Sequence, residues 1–470
     1  MLKNEFKISL ILFFLFLLFY ALQIPYYTSK PDVIVFAIRA LADKPILDFA
    51  YLPQETLLDG TVLPNYHLGH TLVLWLVYQI VPVSYSSTIW ISGFISAMSG
   101  AGMVVLTFLI WRSLNFNMFK SLSIALVVGL IPSFWEQSVI GEVYALQYFF
   151  VLLFILAFIR DKIILAAIFF MYANLISPLS GLAFGLIFLK GFNQKIIKQA
   201  FIVGALAVVL YAIVYLSIGA NLLDLLSPPN ADPEGRGVVY RTLAFISFVI
   251  INFNFFLFHL LKGMKFSLKD NTRISITLIL ATIPQVLLIF AGATFFIELG
   301  SFQLPVFWAL AFPLGYYLGS VEVNKYYFGF ALFAALTISF MFWIRPNMIV
   351  GKEREDAGKW LRVNGYNNTC VIGPWSVGVN IIKGRDGSNL NALEKYYIEK
   401  SNPEDIDLEK THKKKLIIAS AKKMPFRVAL SKINLKGLGI DQYDPIKEIK
   451  IGKVTKLFEN DAVSLFKWEK

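Results

Sequence analysis

Three carboxylates of this chain lie next to apolar segments and could act there as proton acceptors. Asp32 follows the first apolar segment and heads a short amphipathic stretch, residues 32–42. Glu142 comes directly before a long apolar segment, and Glu136 lies one short stretch upstream. A positioned carboxylate can take a proton from a hydroxyl group. The structural alternatives are an N-cap for Asp32, a helix-dipole contact for Glu142 and simple solvation for Glu136.

Other polar side chains could bind an anion. His67 and His70 have i, i+3 spacing, which suits metal ligation, a hydrogen bond to phosphate or polar anchoring at a membrane interface. No third ligand follows from local spacing, so no metal site is predicted. Arg236 and Arg241 lie in or beside a loop that contains Pro and Gly, residues 221–241. Arginine binds phosphate through two parallel hydrogen bonds, which makes both residues candidates for a phosphate clamp.

Two further candidates lie near the ends of apolar segments. Asn174 opens a polar turn, residues 174–181, between two short apolar stretches. Glu298 closes a longer apolar stretch. Both are predicted to face the same compartment as the carboxylates, so we include them among the candidate substrate-binding residues.

The composition indicates a polytopic membrane protein. The chain has 470 residues, 57% of them hydrophobic and only 16% charged. Its single cysteine, Cys370, excludes an intramolecular disulfide and a metal site built from cysteines. The net charge of +12 does not indicate nucleic-acid binding, because the basic residues concentrate at helix ends and in the C-terminal tail.

Apolar segments of sufficient length predict the membrane topology. The clearest candidates are 8–25, 89–111, 120–135, 142–159, 199–219, 243–261, 273–297, 303–320 and 326–344. Basic loops place the N-terminus in the cytoplasm and residues 29–69 outside. Residues 163–190 should cross twice as two helices of about 20 Å each, and residues 67–82 should form an interfacial or re-entrant outer helix. The total is about eleven crossings.

The tail changes character after Arg345. It predicts a small extracytoplasmic α/β domain, 346–470, with strands at 370–373 and 415–420 and a helix at 355–362. The membrane domain is then 1–345, with juxtamembrane helices within 29–83. The first of these, residues 32–42, should lie with its apolar face on the membrane.

Several stretches together resemble the GT-C superfamily of membrane glycosyltransferases. YTSKPDVIVFAIRALA (27–42) looks like the family's first outer loop, and LPNYHLGHTLVLW (63–75) is similar to its second juxtamembrane helix. FWEQSVIGEVYAL (134–146) resembles the Trp-Ser-Gln-Ala-Val-Ile-Ala-Glu-Val-Tyr signature of the branch related to protein O-mannosyltransferases. The turn at 174–181 and the α/β tail also look like parts of this family.

The resemblance implies transfer of a sugar, with mannose as one candidate, from dolichyl or undecaprenyl phosphate to a hydroxyl group of a protein, glycan or lipid. Asp32 would be the general base, and Glu142 would orient the acceptor or polarise the base. Arg236, Arg241 and the histidines would stabilise the phosphate. No cofactor is expected. The protein would be a multi-pass protein of a prokaryotic plasma membrane, or of the endoplasmic reticulum in a eukaryote.

Two other classes of function fit parts of the sequence. A flippase or transporter of lipid-linked sugars would share the basic loops and a polar cavity, without needing Asp32 as a base. A receptor or assembly factor would depend chiefly on the tail, residues 346–470. The absence of an internal repeat in the sequence argues against a secondary transporter, in which inverted repeats are common.

Overall fold

The computed structural model describes residues 2–25, 33–34, 36, 40, 67–81, 85–217, 238–290, 300–321, 325–341, 345–367, 369–373, 375–386, 397–399, 416–421, 453–460 and 462–469. Asp32, Arg236 and Glu298 lie outside these residues. Contacts divide the chain into two compact units. The membrane-helix unit comprises Met1–Ile24, Pro64–Val73 and Ile91–Ser339, and the α/β unit comprises Pro25–Leu63, Leu74–Trp90 and Phe340–Lys470. The domain boundary at 345 stays a prediction.

Helices dominate the part of the chain before residue 345. The α-helices with described bounds are α1 (Leu2–Ala21), α2 (Leu68–Ile80), α3 (Tyr85–Ser113), α4 (Met118–Leu130), α5 (Pro132–Val139), α6 (Val143–Ile159), α7 (Ile163–Ile176), α8 (Gln194–Ser217), α9 (Val238–Phe253), α10 (Leu257–Asp270), α11 (Thr272–Phe290), α12 (Leu304–Leu318) and α13 (Lys325–Ser339). The described 3-10 helices are Pro178–Lys190, Asn254–Phe256 and Ser301–Gln303.

Among the described residues, five stretches of helix are long and apolar enough to cross a membrane, or six if the bent pair α4 and α5 forms one span. The prediction of a mostly helical protein with several apolar spans is therefore confirmed in this coarse form. Helices α2, α6, α7 and α13 and the long 3-10 helix are apolar but shorter. The count of about eleven crossings stays a prediction.

Residues 163–190 form two short segments, as predicted, but the second is not an α-helix. Helix α7 ends at Ile176, and Pro178–Lys190 is a 3-10 helix of 13 residues. A 3-10 rise of about 2.0 Å per residue gives this helix a length of about 26 Å. The same residues in an α-helix would span only about 20 Å, so the 3-10 helix comes closer to the roughly 30 Å thickness of the bilayer core. Helix α11 runs antiparallel to it, since Arg273 donates to the carbonyl of Leu189 and a Cβ at Gly185 would lie 3.2 Å from Ala281.

The residues expected on the cytoplasmic side contact one another between helix ends. Arg112 at the end of α3 forms an ion pair of 2.6 Å with Glu5 in α1. Lys190 forms another of 2.6 Å with Asp161, at the α6–α7 junction. Hydrogen bonds from Lys190 and Gln199 hold the pKa of Asp161 below its usual value. These contacts agree with the prediction that the basic loops lie on the same side of the membrane. That this side is the cytoplasmic one stays a prediction.

The tail contains the predicted α/β fold. Its elements are α14 (Arg345–Val363), β1 (Cys370–Gly373), α15 (Trp375–Asp386), β2 (Tyr397–Glu399), β3 (Leu416–Ala421), β4 (Lys453–Glu459) and β5 (Val463–Glu469). The strand order is β2-β1-β3-β5-β4, with β1 parallel to β2 and β3 and β5 antiparallel to β3 and β4. Helix α15 supplies the crossover that a parallel β1–β2 pair requires.

The described residues of the predicted helix at 32–42 are buried in protein. Val33, Ile34, Phe36 and Ala40 are helical and each is at most 5% exposed. Val33 and Ile34 belong to the hydrophobic core of the α/β unit. The expectation that this face lies on the membrane is therefore wrong for these residues, because the pattern that suits a lipid surface also suits a protein core.

Candidate functional site

The segment that carries Glu136 is a short buried helix. Helix α4 ends at Leu130, and Pro132 starts α5 after a bend of 62°. Proline lacks an N–H group, so it interrupts the hydrogen bonding of α4 but suits the first turn of a new helix. All eight residues of α5 are buried, and Glu136 is 0% exposed. The structural alternative, in which Glu136 is simply solvated, is therefore wrong.

Hydrogen bonds fix α5 to distant helices. The backbone N–H of Ser133 donates to Oδ1 of Asn252 in α9, at 2.8 Å. The indole Nε1 of Trp135 donates to Oε1 of Gln23, just after α1, at 3.1 Å. The helix that holds Glu136 is thus tied to both α1 and α9, which gives its carboxylate a defined position.

A tight turn places Glu142 at the start of α6. Gly141 has φ +62°, in the left-handed region that favours glycine. The hydroxyl of Ser92 donates to the carbonyl of Gly141 at 2.9 Å, and that of Ser96 donates to the carbonyl of Glu142 at 3.3 Å. Glu142 is the N-cap residue and is 2% exposed, but its side chain makes no capping hydrogen bond to α6. The hydrogen bonds from Ser92 and Ser96 to the backbone hold this turn, so the carboxylate is not needed as a cap.

Gly141→Ala should destabilise this turn. A Cβ at residue 141 would lie 2.9 Å from Oγ of Ser92 and 3.0 Å from the backbone N of Gly93, in a strained backbone conformation. We expect a loss of about 1–3 kcal/mol in the free energy of unfolding. The measurement is the thermal denaturation midpoint of the purified protein.

Gly329→Ala is the matched control, because it adds the same methyl group where no atom lies within 4 Å. Alanine is also the better helix former by about 1 kcal/mol, so the midpoint of this variant should stay or rise. Equal midpoints for the two variants would show that the turn at Gly141 is not strained by a side chain.

His67 caps a neighbouring helix. Its Nδ1 lies 2.7 Å from the carbonyl oxygen of Ile176, so the ring donates to one of the last carbonyl groups of α7, which lack partners within that helix. His70, one helical turn later in α2, is 0% exposed. Among the described residues, no group of three or more His, Cys, Asp and Glu side chains could hold a metal ion.

Asn174 lies in the last turn of α7, next to the break at Ser177. Its Nδ2 donates to the carbonyl of Phe170 at 2.8 Å, and Ser180 Oγ donates to the carbonyl of Ala173 at 2.8 Å. These contacts stabilise the predicted turn between α7 and the 3-10 helix. The role of Asn174 in substrate binding stays a prediction.

Arg241 joins the start of α9 to the end of α11. Its Nη1 donates to the carbonyl of Phe290, the last residue of α11. A cation at a helix C-terminus is favourable because the last carbonyl groups carry partial negative charge.

Sequence reasoning missed several uncharged polar residues within apolar helices. Gln137, Tyr148 and Gln285 are at most 2% exposed, and each has a polar side-chain atom without a hydrogen-bond partner among the described residues. Tyr148 lines a cavity of about 10 Å³, the size of one water molecule, between α6, the 3-10 helix at Pro178–Lys190 and the start of α12. The available signal in the sequence was a polar side chain within an otherwise apolar span. Burying such a side chain without a hydrogen-bond partner costs free energy, so its presence there indicates a polar site.

A larger, mostly apolar groove of about 310 Å³ borders the bend between α4 and α5. Helices α4, α12 and α13 and the α9–α10 junction form its walls. It extends along α4 from Ser123 to Ile131, a distance of about 12 Å at the α-helical rise. At the latter end lie Ile131 and Asn252, and Asn252 accepts the hydrogen bond from the first turn of α5. The groove therefore ends beside the helix that carries Glu136.

Solved structures share this fold. The chain is similar to ArnT from Cupriavidus metallidurans bound to undecaprenyl phosphate, with a TM-score of 0.55 and 9% identity over 99% of this chain and 97% of that chain. ArnT in the apo state gives a TM-score of 0.53 and 10% identity over the same shares. The oligosaccharyltransferase of Archaeoglobus fulgidus in the apo form gives 0.53 and 11% identity, over 96% of this chain and 73% of that chain.

No protein-family model matches the chain, and no curated protein sequence matches it either. At such low identities the likeness to solved structures concerns the fold alone. The chain shares its fold with ArnT and the oligosaccharyltransferase, which is the fold that the resemblance to the GT-C superfamily predicted.

Proposed function

We propose that this protein is a GT-C-type glycosyltransferase. It moves a sugar from a polyprenyl phosphate to an acceptor hydroxyl group on the extracytoplasmic side. The observation that carries the proposal is the apolar groove that ends beside the α5 helix and its buried Glu136. Such a groove suits an isoprenoid chain whose headgroup reaches the polar segment 133–142. The fold shared with ArnT bound to undecaprenyl phosphate supports the same class of donor.

The reaction is a single displacement with inversion. The carboxylate of Asp32 takes the proton of the acceptor hydroxyl group, whose oxygen attacks the anomeric carbon. The bond from that carbon to the phosphate oxygen breaks, and polyprenyl phosphate leaves with the bonding electrons. Donors at Arg241, Arg236, His67 and His70 stabilise the phosphate as negative charge develops on it.

The remaining candidates recognise the sugar and the acceptor. Glu142 orients the acceptor hydroxyl group or polarises the base, and Glu136 contacts the headgroup. Asn174 and Glu298 make the remaining polar contacts with the substrates. The acceptor is a protein, a glycan or a lipid. In the proposed topology of about eleven crossings, residues 346–470 lie outside the cytoplasm.

A transfer assay tests the proposal. The purified protein is incubated with a panel of polyprenyl-phosphate sugars, including mannose, and with peptide, glycan and lipid acceptors that carry free hydroxyl groups. We expect release of polyprenyl phosphate that requires an acceptor, and a glycosylated acceptor with an inverted anomeric centre. Movement of the intact donor across liposome membranes without consumption would instead support a flippase of lipid-linked sugars.

Ala335→Trp should obstruct donor binding. Ala335 lines the groove from α13, and an indole there occupies space that the isoprenoid chain needs. Overpacking of this kind costs about 1–3 kcal/mol, which corresponds to a rise in the donor KM of roughly fivefold to a hundredfold. The measurement is the donor KM for a long and for a truncated polyprenyl chain, with a smaller effect expected for the truncated donor.

Phe333→Trp is the matched control on the same helix. Phe333 is 71% exposed and does not line the groove, so its donor KM should stay at the wild-type value. If both variants bind the long donor as well as the wild type, the donor chain lies elsewhere.

A further inference from the structure

Helix α10 (Leu257–Asp270) carries a row of lysines along one side. The members of this lysine face are exposed and have i, i+3, i+7 spacing, and they are Lys262, Lys265 and Lys269. The opposite side of the helix is buried against α12, where Gly263 packs on the backbone of Pro313. The lysine face therefore points away from the packed side of α10.

Among the described residues, the lysine face has no carboxylate partner. Two nearby cations do have one, since Lys190 forms an ion pair of 2.6 Å with Asp161 and Lys120 lies 3.9 Å from Asp270. Helix α10 contains one acidic residue, Asp270, and its carboxylate accepts a hydrogen bond from the hydroxyl of Tyr316 in α12. The three positive charges are thus available to an anionic partner.

Apolar side chains border the lysine face. Phe258 lies one turn before Lys262 and is exposed, with the ammonium group of Lys262 4.3 Å from its ring centroid. Leu261 and Leu268 are exposed along one edge of the same face. Lysine places its apolar stem along such a surface and extends its charged end into a polar layer. A phospholipid fits this mixture, because it presents phosphate directly beside hydrocarbon.

The length of the helix places the lysine face at a membrane surface. Helices α9 and α10 belong to one candidate span, Arg241–Asp270, of 30 residues. At the α-helical rise this span is about 45 Å long, and about 34 Å remain along the membrane normal even at a tilt of about 40°. The hydrocarbon core is only about 30 Å thick. Since charged side chains are costly inside it, the end that carries the lysines extends into the headgroup layer.

We propose that the lysine face of α10 binds the headgroups of anionic phospholipids. Each lysine ammonium group offers three hydrogen-bond donors to phosphate oxygens. Near an anionic membrane surface each lysine strengthens binding by roughly fivefold, so three lysines strengthen it by roughly a hundredfold. Phe258, Leu261 and Leu268 contact the acyl chains of the same lipids. The site does not depend on the proposed sugar transfer, so either can fail without the other.

Native mass spectrometry of the full-length protein in detergent tests the site. The two probes are dioleoylphosphatidylglycerol, which is anionic, and dioleoylphosphatidylcholine, which is zwitterionic. The triple variant Lys262→Gln, Lys265→Gln, Lys269→Gln should bind phosphatidylglycerol roughly tenfold or more weakly than the wild type and phosphatidylcholine equally well. The corresponding triple arginine variant keeps the charge and should keep the affinity. Unchanged binding of phosphatidylglycerol by the glutamine variant would overturn the proposal.

A second triple variant removes the same charge elsewhere. It combines Lys352→Gln, Lys359→Gln and Lys456→Gln. Each of these lysines is exposed and already paired with a carboxylate, so none of them presents an unneutralised charge. Its affinity for phosphatidylglycerol should match that of the wild type. Equal losses in the two glutamine variants would show that net charge alone matters and would overturn the proposal.

A spin label tests the position of α10 in the membrane without measuring affinity. Leu261→Cys is labelled selectively, because the single native cysteine, Cys370, is buried. In vesicles of phosphatidylglycerol and phosphatidylcholine, the label should collide more often with lipid-dissolved oxygen than with a water-soluble nickel chelate. A label at Phe333→Cys, on the exposed side of α13, is the reference for lipid contact. Preferential collision with nickel at residue 261 would place the lysine face in water and overturn the proposal.

Discussion

Asp32→Asn should lower kcat for sugar transfer by roughly a hundredfold to ten-thousandfold, the range that a general base contributes. Asparagine has nearly the same size as aspartate and also caps helices well. The variant should therefore keep its fold and its donor KM while losing the proton acceptor. The measurement is steady-state transfer with saturating acceptor, together with the thermal denaturation midpoint.

Asp161→Asn is the control for loss of a carboxylate. Asp161 is paired with Lys190 and its side chain is 54% exposed, so the ion pair contributes little to stability. Its transfer rate should match that of the wild type. An Asp32→Asn variant that keeps most of the wild-type rate would remove Asp32 as the base and favour a flippase.

The helical architecture was predictable because the apolar segments are long. Helices α6 (Val143–Ile159) and α12 (Leu304–Leu318) agree closely with the segments 142–159 and 303–320. The strands at Cys370–Gly373 and Leu416–Ala421 were also recognisable, since β-branched and other apolar residues bounded by polar ones favour strands. Local patterns thus determined the type of each of these elements.

The partners of these elements were less predictable. An amphipathic helix shows the same spacing whether its apolar face meets lipid or protein, and this ambiguity led to the wrong environment for Val33. The burial of Glu136 depends on the 62° bend at Ile131 and Pro132, which turns α5 back among other helices. Sequence spacing identified both glutamates but could not show which neighbours enclose them.

Glu142→Gln should lower kcat by roughly tenfold to a thousandfold, in the range seen when one oriented polar group is removed from an active site. Glutamine keeps the volume of the side chain, and the backbone of residue 142 remains held by Ser96 and the turn at Gly141. Burying a charge is unfavourable, so the thermal denaturation midpoint should stay or rise while the activity falls. Loss of activity without loss of stability is the pattern expected of a residue retained for function.

Two further variants separate the charge of Glu142 from its placement. Glu142→Asp keeps the negative charge on a shorter side chain, so it should recover part of the rate that Glu142→Gln loses. Ser96→Ala leaves the carboxylate intact but removes a hydrogen bond to the backbone of residue 142, which is worth about 1 kcal/mol. Its effect should be smaller than that of Glu142→Gln and should appear in stability as well as in rate. If Glu142→Gln transfers sugar at the wild-type rate, the buried carboxylate at the start of α6 serves the fold and not the reaction.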